Sequence, residues 1–369
     1  MTASLRRGGS AVAFTWSKDP WNRDVEFYEL MQAHRFRSIE RAASEEVSAG
    51  WVTPADPTGD SFDLDSMAAG SHWWLRFRVD AKKLPASKLQ MEVANAERTR
   101  GKRLSSRERR ELKDDLHEKL LPGILPRTQF VDVLVHRDLH TALLLSTSKA
   151  ARETFGKLAK DSFGFTPKQL TSGVQRGERI DHLMPSVFPG RGPKQLELPG
   201  AGDFLGCELL LWLWWKWETA GGEFSIPNGF VGVAIDDRVE FAAGADETSL
   251  VLRHGLTTRA AEAREALRTG RVPTKARLLI AKGTQQWTVT LDGASLAMGS
   301  VRLPEDSEDC ETPEDVTAQR ADGWLALHQI VEHLFAKFMG DRVSLAWVAK
   351  VREIAEWMAS RTKPAGGAS

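Results

Sequence analysis

Cysteine is scarce in this 369-residue sequence, which contains only Cys207 and Cys310. Two cysteines exclude a framework of several disulfide bonds, the usual support of small secreted domains. Hydrophobic residues make up 41% of the chain and charged residues 27%, the proportions of an ordinary globular protein with a substantial core. These features predict a protein of the reducing cytoplasm.

The sequence also lacks net charge, because 50 lysines and arginines are matched by 50 aspartates and glutamates. Overall basicity therefore gives no reason to expect nucleic-acid binding, and any such site must come from charges segregated along the chain. An acidic stretch, LPEDSEDCETPED from Leu303 to Asp315, offsets an arginine-rich stretch near residue 100. We predict that the acidic stretch is a solvated linker before the last helices.

Long apolar runs are missing as well. The most apolar segment, LGCELLLWLWWKW at residues 205–217, is interrupted by Glu208 and Lys216 and is too short to span a bilayer. The N-terminus likewise lacks the apolar core of a signal peptide. The tryptophans of the segment could stack nucleic-acid bases, but their leucine neighbours favour burial or a protein interface. They are Trp212, Trp214, Trp215 and Trp217.

Recognisable catalytic and cofactor motifs are absent: no Walker loop, dinucleotide fingerprint or Cys-x-x-Cys pair occurs. His136 and His140 have the spacing of two metal ligands on a helix, but their neighbours predict strand and turn, where that spacing separates the rings. Asp236 and Asp237 could hold Mg²⁺ in a nuclease, although a turn explains them better. We therefore predict no cofactor, no metal and no enzymatic activity.

The order of strand and helix patterns predicts an α+β fold. Strands are expected at residues 72–80, within 129–147 and 276–304, and as a hairpin at 229–244 that turns at Asp236 and Asp237. Helices are expected at residues 25–37, 148–164, 257–270, 318–339 and 343–360. The last helix carries an apolar stripe, with Leu345 and Val348 among its members, which we expect to lie in the core.

These patterns also predict a division into domains. Residues 1–80 would form the N-terminal α+β part of a central domain, residues 81–124 a basic helical hairpin, and residues 125–165 the strands and helix that complete the central domain. Residues 166–202, rich in proline and glycine, would be a connection, and residues 203–369 a C-terminal α+β domain that ends in two helices.

The helical hairpin is predicted from its end signals. Ser105 and Glu108 have the spacing of a capping box, so the second helix should begin near Ser105. In the first helix, Pro85 can open the initial turn and Gly101 offers the left-handed position after the end. A leucine stripe follows in the second helix, and we expect its members to be buried: Leu112, Leu116 and Leu120.

Cations crowd the tip of this hairpin. They are Arg98, Arg100, Lys102, Arg103, Arg107, Arg109, Arg110 and Lys113. Two interpretations remain open at this point. The cations could complement the helix dipole and form a solvated face, or they could grip the phosphates of a nucleic acid, for which guanidinium groups are well suited.

Four segments in order resemble the RdgC family of bacterial recombination-associated proteins. They are GWVTP at residues 50–54, LPASKLQMEVANAE at 84–97, RRELKDDLHEKLLP at 109–122 and GRVPTKARL at 270–278. The resemblance extends over roughly residues 10–360, and the order and spacing of the segments carry it rather than any single motif.

The resemblance implies a horseshoe-like subunit that pairs with a second copy into a ring around double-stranded DNA. It implies sequence-independent DNA binding in the nucleoid, restraint of RecA-driven recombination and maintenance of replication forks, with RecA as a possible partner. The implied DNA contacts are Arg98, Arg100, Lys102, Arg103, Arg107, Arg110, Lys113, Arg253, His254 and Lys275. The implied dimer contacts are Leu125, Arg253 and His254, and Leu125 stands where relatives carry an aromatic residue.

Two other functions stay open. A metal-dependent nuclease would need several carboxylates close together in the fold, and no pattern in the sequence predicts such a cluster. A protein-interaction module would use the tryptophan-rich segment at residues 205–217 as an exposed docking surface.

Overall fold

The computed structural model describes residues 4–17, 24–42, 44–63, 65–136, 139–172, 186–187, 204–242, 250–253, 260–269, 271–308 and 310–360. The strands in these ranges are β1 (Gly8–Thr15), β2 (Val47–Val52), β3 (Ala68–Ala69), β4 (His72–Ala81), β5 (Arg127–His136), β6 (Thr141–Leu144), β7 (Lys168–Gln169), β8 (Glu223–Ile226), β9 (Gly229–Ala242), β10 (Leu250–Arg253), β11 (Val272–Lys282), β12 (Gln285–Asp292) and β13 (Met298–Arg302).

The helices in the same ranges are α1 (Asp24–Ala33), α2 (Ala86–Arg100), α3 (Ser106–Leu120), α4 (Lys149–Phe163), α5 (Phe204–Ala220), α6 (Ala261–Arg268), α7 (Pro313–Arg342) and α8 (Trp347–Ser360). This mixture of helices with an antiparallel sheet confirms the predicted α+β class. None of the helices in the described ranges is long and apolar enough to cross a membrane.

One antiparallel sheet runs through the chain from its N-terminal to its C-terminal part. Its main path is β10-β9-β11-β12-β13-β1-β6-β5-β4-β2. Strand β1 joins the two parts, because its first residues pair with β13 (Gly8 with Arg302) and its later residues pair with β6 (Val12 with Leu144). The two predicted α+β regions therefore share a sheet, while their domain boundaries stay a prediction.

The sheet separates two hydrophobic cores, and β1 contributes to both. Val12 and Phe14 point to one face, where α1 and α4 pack over the N-terminal strands. Ala11 and Ala13 point to the other face, where they join the core built around α5 and α7. This alternation follows from the two-residue period of a strand. On the C-terminal strands the face opposite α5 carries several polar side chains, among them Arg238, Lys275 and Thr290, which alternate with core residues.

The tryptophan-rich segment forms α5, which lies in the centre of the larger core. Trp212, Trp214 and Trp215 are all buried. The helix begins very close to the turn after β12: a Cβ atom added to Gly206 would lie 1.7 Å from the carbonyl oxygen of Gly293. Burial of this segment is confirmed, so its use as an exposed docking surface for another protein, or as a base-stacking platform, is wrong.

A charged pair is enclosed in the same core. Glu208 of α5 and Arg342 at the end of α7 are each only 1% exposed. The Arg342 Nε–H donates to Glu208 Oε2 over 2.7 Å, and the Val187 backbone N–H donates to Glu208 Oε1 over 3.1 Å. The Arg342 guanidinium also lies 5.2 Å from the ring centroid of Trp347. The pair thus ties α5 to the junction of α7 and α8.

The predicted turn at Asp236 and Asp237 is wrong. Strand β9 passes through both residues without reversing, and it pairs with β11 from Val272 opposite Ala242 to Ala281 opposite Gly232. Val239 pairs with Ala276 and Asp236 with Arg277, so Asp237 and Arg238 form a bulge, where Asp237 takes a φ of 27°. Aspartate tolerates this left-handed conformation, so the turn-like signal in the sequence marks a bulge.

The ends of the last helices also differ from the prediction. Helix α7 begins at Pro313 with a capping box between Thr312 and Asp315, so the end of the acidic stretch is helical rather than linker. Leu345 lies between α7 and α8 and is 83% exposed, and Val348 is exposed as well. Their predicted place in the core is therefore wrong, because α7 extends to Arg342 and shifts the start of α8 to Trp347.

Three histidines meet where α7 crosses the N-terminal strands. His72 of β4 and His136 of β5 have ring centroids 5.0 Å apart, and His72 Nε2 lies 3.1 Å from Asp322 of α7. His328 of α7 is buried, with Nε2 3.5 Å from the carboxylate of Glu332. Burial lowers the pKa of His328 below its ordinary value of 6.5; Glu332 opposes this shift and His136 adds to it.

We predict that stability falls as the pH drops below about 6.5, the ordinary histidine pKa. Burial disfavours the charged form of His328 in the folded state, so the unfolded state takes up the proton more readily. Stability is therefore lost as the pH falls from the ordinary pKa of the unfolded state to the lowered pKa of the folded state. One group contributes at most about 1.4 kcal/mol per pH unit. Urea unfolding of His328→Gln between pH 8 and 5 should show a shallower loss than the parent, whereas His117→Gln on α3 should follow the parent.

Candidate nucleic-acid interface

The helical hairpin forms with the predicted caps. Helix α2 starts after Pro85 and ends at Gly101, which takes the left-handed conformation with a φ of 66°. Ser105 caps α3: its hydroxyl accepts from the Glu108 backbone N–H, and the Glu108 carboxylate accepts from the Ser105 backbone N–H. Since each cap satisfies backbone groups that the helix leaves open, the turn between the helices is fixed by local sequence.

The hairpin is much more exposed than its leucine pattern predicts. Neither α2 nor α3 contains a buried residue. The apolar residues of the two helices are only half-buried: Leu89, Val93, Ala96, Leu112, Leu116 and Leu120. The expectation of a buried leucine stripe is therefore wrong, and truncating Leu116 would cost less than the roughly 2–5 kcal/mol typical of a core leucine.

Part of the arginine patch is neutralised within the hairpin. Ion pairs join Arg100 to Glu108 at 3.2 Å, Arg107 to Glu111 at 2.9 Å and Arg109 to Glu97 at 2.6 Å. The hydrogen bond from Arg109 is the main cause that lowers the pKa of Glu97. Backbone and hydroxyl hydrogen bonds from Ser105 lower the pKa of Glu108. Both carboxylates therefore favour the charged form, and they fix the positions of two arginines, Arg100 and Arg109.

The remaining cations of the patch face solvent. They are Arg98, Lys102, Arg103, Arg110 and Lys113, and all five are exposed. Within the described ranges no carboxylate forms an ion pair with any of them. Residues 97–113 carry eight lysines and arginines against three glutamates, so the tip of the hairpin has an excess of positive charge on a chain without net charge.

The other predicted DNA contacts lie elsewhere in the sheet. Lys275 of β11 sits between Glu240 and Asp292, with its Nζ 3.6 Å and 3.7 Å from their carboxylates. Strand β11 is five positions from β5 in the sheet, about 24 Å at a strand spacing of about 4.8 Å. Arg253 ends β10, at the edge of the main path, and is exposed. His254 lies outside the described residues.

Leu125, the predicted dimer contact, lies between the hairpin and β5. It is 75% exposed. An aliphatic side chain so open to water has apolar surface available for contact with another chain. The structure therefore places this residue, with the half-buried stripes of α2 and α3, on the outside of the subunit.

Two arginines of β4, beside the hairpin, are not among the DNA contacts predicted from the sequence. Arg76 lies 2.7 Å from Asp132, and Arg78 lies 2.7 Å from Asp80. Both guanidinium groups lie 5.9 Å from the ring centroid of Phe130. The alternating residues of RFRVD at 76–80 were the available signal, since they place both arginines on one sheet face. Their carboxylate partners make them weaker phosphate ligands than the exposed hairpin cations.

The histidine pair that the sequence raised as metal ligands does not form a metal-binding group. His136 ends β5, whereas His140 lies in the following turn with a φ of 47°. Across the described ranges, no group of three or more histidine, cysteine, aspartate or glutamate side chains is arranged to hold a metal ion. Asp236 and Asp237 instead lie 3.6 Å from the guanidinium of Arg277.

Comparison with known protein families supports the predicted resemblance. A search of curated proteins found no similar sequence. The family model described as "Putative exonuclease, RdgC" matches residues 10–178, a little under half of the chain. This range contains the hairpin and three of the four segments on which the resemblance rests; the fourth, at residues 270–278, lies beyond it. The predicted resemblance is thus confirmed over residues 10–178, the part of the chain that matches the RdgC family model.

Proposed function

We propose that this protein binds double-stranded DNA without reading its sequence, with the hairpin of α2 and α3 as the main contact. The observation that carries the proposal is the set of five exposed hairpin cations without a carboxylate partner. The RdgC match supports it, because that family has a recombination-associated role in DNA binding.

The mechanism is electrostatic. Arginine and lysine side chains replace the counterions condensed on DNA phosphates, and the released counterions favour binding. Contacts to phosphates position the protein on the duplex but carry no sequence information. Arg103 and Arg110 can each grip a phosphate with two N–H groups, whereas Lys102 and Lys113 act as point charges. The paired arginines hold the hairpin in shape beside them.

We further propose that two copies assemble into a ring-like homodimer around the duplex. The exposed Leu125 and the half-buried stripes of α2 and α3 offer apolar surface for one contact between copies. A closed ring would prolong residence on DNA beyond what a single charged patch gives. Such a protein would act on the nucleoid in the cytoplasm, where it would restrain recombination by RecA and help to maintain replication forks.

The salt dependence of binding tests the electrostatic mechanism. We expect duplexes of unrelated sequence to bind with similar affinity, and the logarithm of affinity to fall linearly with the logarithm of salt concentration. Five phosphate contacts give a slope of about −4 or steeper. Fluorescence anisotropy from low to physiological salt measures this slope, and a flat response would exclude the mechanism.

The description of the family model favours a second function, an exonuclease. We propose instead that the protein has no nuclease activity and is a homodimer. Light scattering should give twice the chain mass, and labelled duplex should stay intact with Mg²⁺ or Mn²⁺. A monomer would contradict the dimer. Metal-dependent degradation that copurifies with the protein, and is lost in Asp236→Ala/Asp237→Ala, would establish the nuclease.

A further inference from the structure

A groove of about 380 Å³, lined mainly by polar and charged residues, lies where the N-terminal and C-terminal parts of the sheet meet. Arg152 of α4 and Gln169 of β7 line one side. Arg238, Lys275 and Asp292, on β9, β11 and β12, line the other. The groove is on the sheet face opposite α5, because Arg238, Lys275 and Asp292 alternate with the core residues of their strands. Its volume is at the lower end of the range for small-molecule sites, and it is much too small to enclose a duplex.

Three cations from three elements converge on this groove, and their charges are incompletely balanced. Arg238 forms an ion pair with Glu240. Lys275 lies 3.6 Å from the carboxylate of Glu240 and 3.7 Å from that of Asp292, beyond the usual length of a hydrogen bond. Among the described residues, two carboxylates thus pair with these three cations, which leaves one positive charge in excess.

Two of the cations retain donor groups without a partner. Arg152 donates from Nη1 to Gln169 Oε1 over 2.8 Å, and Arg238 uses Nη2 for its ion pair with Glu240. The Nε–H groups of both arginines are buried, and neither has a hydrogen-bond partner in the described structure. Buried donors without acceptors are rare in proteins, and a functional role is one of their common explanations.

The wall of the groove also shows backbone strain. Ser300 lines it with a φ of 47°, and Leu296 in the preceding turn has a φ of 50°. Residues other than glycine rarely adopt this left-handed conformation, and such residues concentrate at ligand sites. Three hydroxyl-bearing residues also line the groove: Ser295 in the turn before β13, Ser300 in β13, and Thr147.

We propose that this groove binds the phosphate group of a small phosphorylated ligand, of about mononucleotide size, through Arg152, Arg238 and Lys275. Guanidinium and ammonium groups with nearby hydroxyls are the standard ligands of phosphate. A phosphomonoester dianion fits an excess of positive charge better than a neutral ligand does, and it would draw Lys275 away from its two distant carboxylates. This site is separate from the hairpin and does not depend on the proposed binding of duplex DNA.

Calorimetric titration of the full-length protein tests the proposal. The probes are deoxyadenosine 5′-monophosphate, inorganic phosphate and deoxyadenosine, which lacks the phosphate. We expect the first two to bind and deoxyadenosine to give no signal. Arg152→Gln and Lys275→Gln should each weaken nucleotide binding about tenfold or more, because each removes a charge-assisted contact. The hairpin variant Arg103→Gln/Arg110→Gln should bind the nucleotide as the parent does while losing affinity for duplex.

Competition with single strands identifies the source of the phosphate. If a strand with a 5′-phosphate displaces the nucleotide better than the same strand with a 5′-hydroxyl, the ligand is a DNA end. If neither strand displaces it, the ligand is a free phosphorylated molecule, whereas equal displacement by both would show binding of internal phosphodiesters and overturn the proposed phosphomonoester site. Equal binding of the nucleotide and deoxyadenosine by the parent protein would overturn the proposal without recourse to a variant. So would unchanged nucleotide binding by the Arg152 and Lys275 variants, once thermal melts show that they are folded.

Discussion

Replacing Arg103, Arg110 and Lys113 by glutamate is expected to weaken duplex binding on the order of 500-fold at about 0.1 M salt, with the fold intact. Affinity varies with salt concentration to the power of about −0.9 per phosphate contact, so each contact contributes about eightfold at this salt concentration. The slope of the salt dependence should fall by about three units. Arg107 is left unchanged because it is already paired with Glu111.

Stability should change little, since the three side chains are exposed and lie away from the half-buried leucines. Surface substitutions of this kind usually cost within about 0.5 kcal/mol each. A matched control is Lys157→Glu/Lys160→Glu/Lys337→Glu, which makes the same change in net charge at exposed positions of α4 and α7. Duplex titration of both variants distinguishes a local contact from a general effect of charge.

Two outcomes would contradict the proposed role of the hairpin. If the hairpin variant bound duplex like the parent with an unchanged salt slope, the cations would be a solvated face, the simpler interpretation of the sequence. If the control lost affinity as strongly as the hairpin variant, the loss would come from net charge rather than from contacts at α2 and α3.

The hairpin was predictable from sequence because its signals are local. The capping box spans only Ser105 to Glu108, and Gly101 acts at a single left-handed position. Each signal involves neighbouring residues, so no distant contact is needed to interpret it. The exposure of Leu116 was not predictable in the same way, because a helical stripe shows which face is apolar but not which element covers it.

Features that depend on pairing between residues far apart in the sequence are not predicted correctly from local patterns. The residues Asp236 and Asp237 resemble a turn, yet eleven-residue β11 pairs along β9 on both sides of them and keeps the strand extended. Tertiary pairing thus overrides a local turn signal. The sequence does not predict the groove for the same reason. Arg152 belongs to α4 and Arg238 to β9, and they meet only because β1 joins the two parts of the sheet.

Disrupting the ion pair between Glu208, which interrupts the tryptophan-rich segment, and Arg342 gives the second large expected effect, a loss of stability. Arg342→Met is expected to lower the free energy of unfolding by about 3–5 kcal/mol. The substitution leaves the Glu208 carboxylate in the core without its guanidinium partner, and an uncompensated buried charge is costly. Methionine has a similar length and keeps contact with Trp347, although it loses the interaction of the cation with the ring.

Adding Glu208→Gln to Arg342→Met should restore more than half of the lost stability. Glutamine removes the negative charge that Arg342→Met leaves without a partner, while its carbonyl oxygen can still accept the hydrogen bonds that Ser186 and Val187 donate to Glu208. Urea unfolding of the parent, both single variants and the double variant completes the thermodynamic cycle. If the double variant were as unstable as the sum of the single losses, the two residues would act independently. The pair would then not be the link that holds α5 against the end of α7.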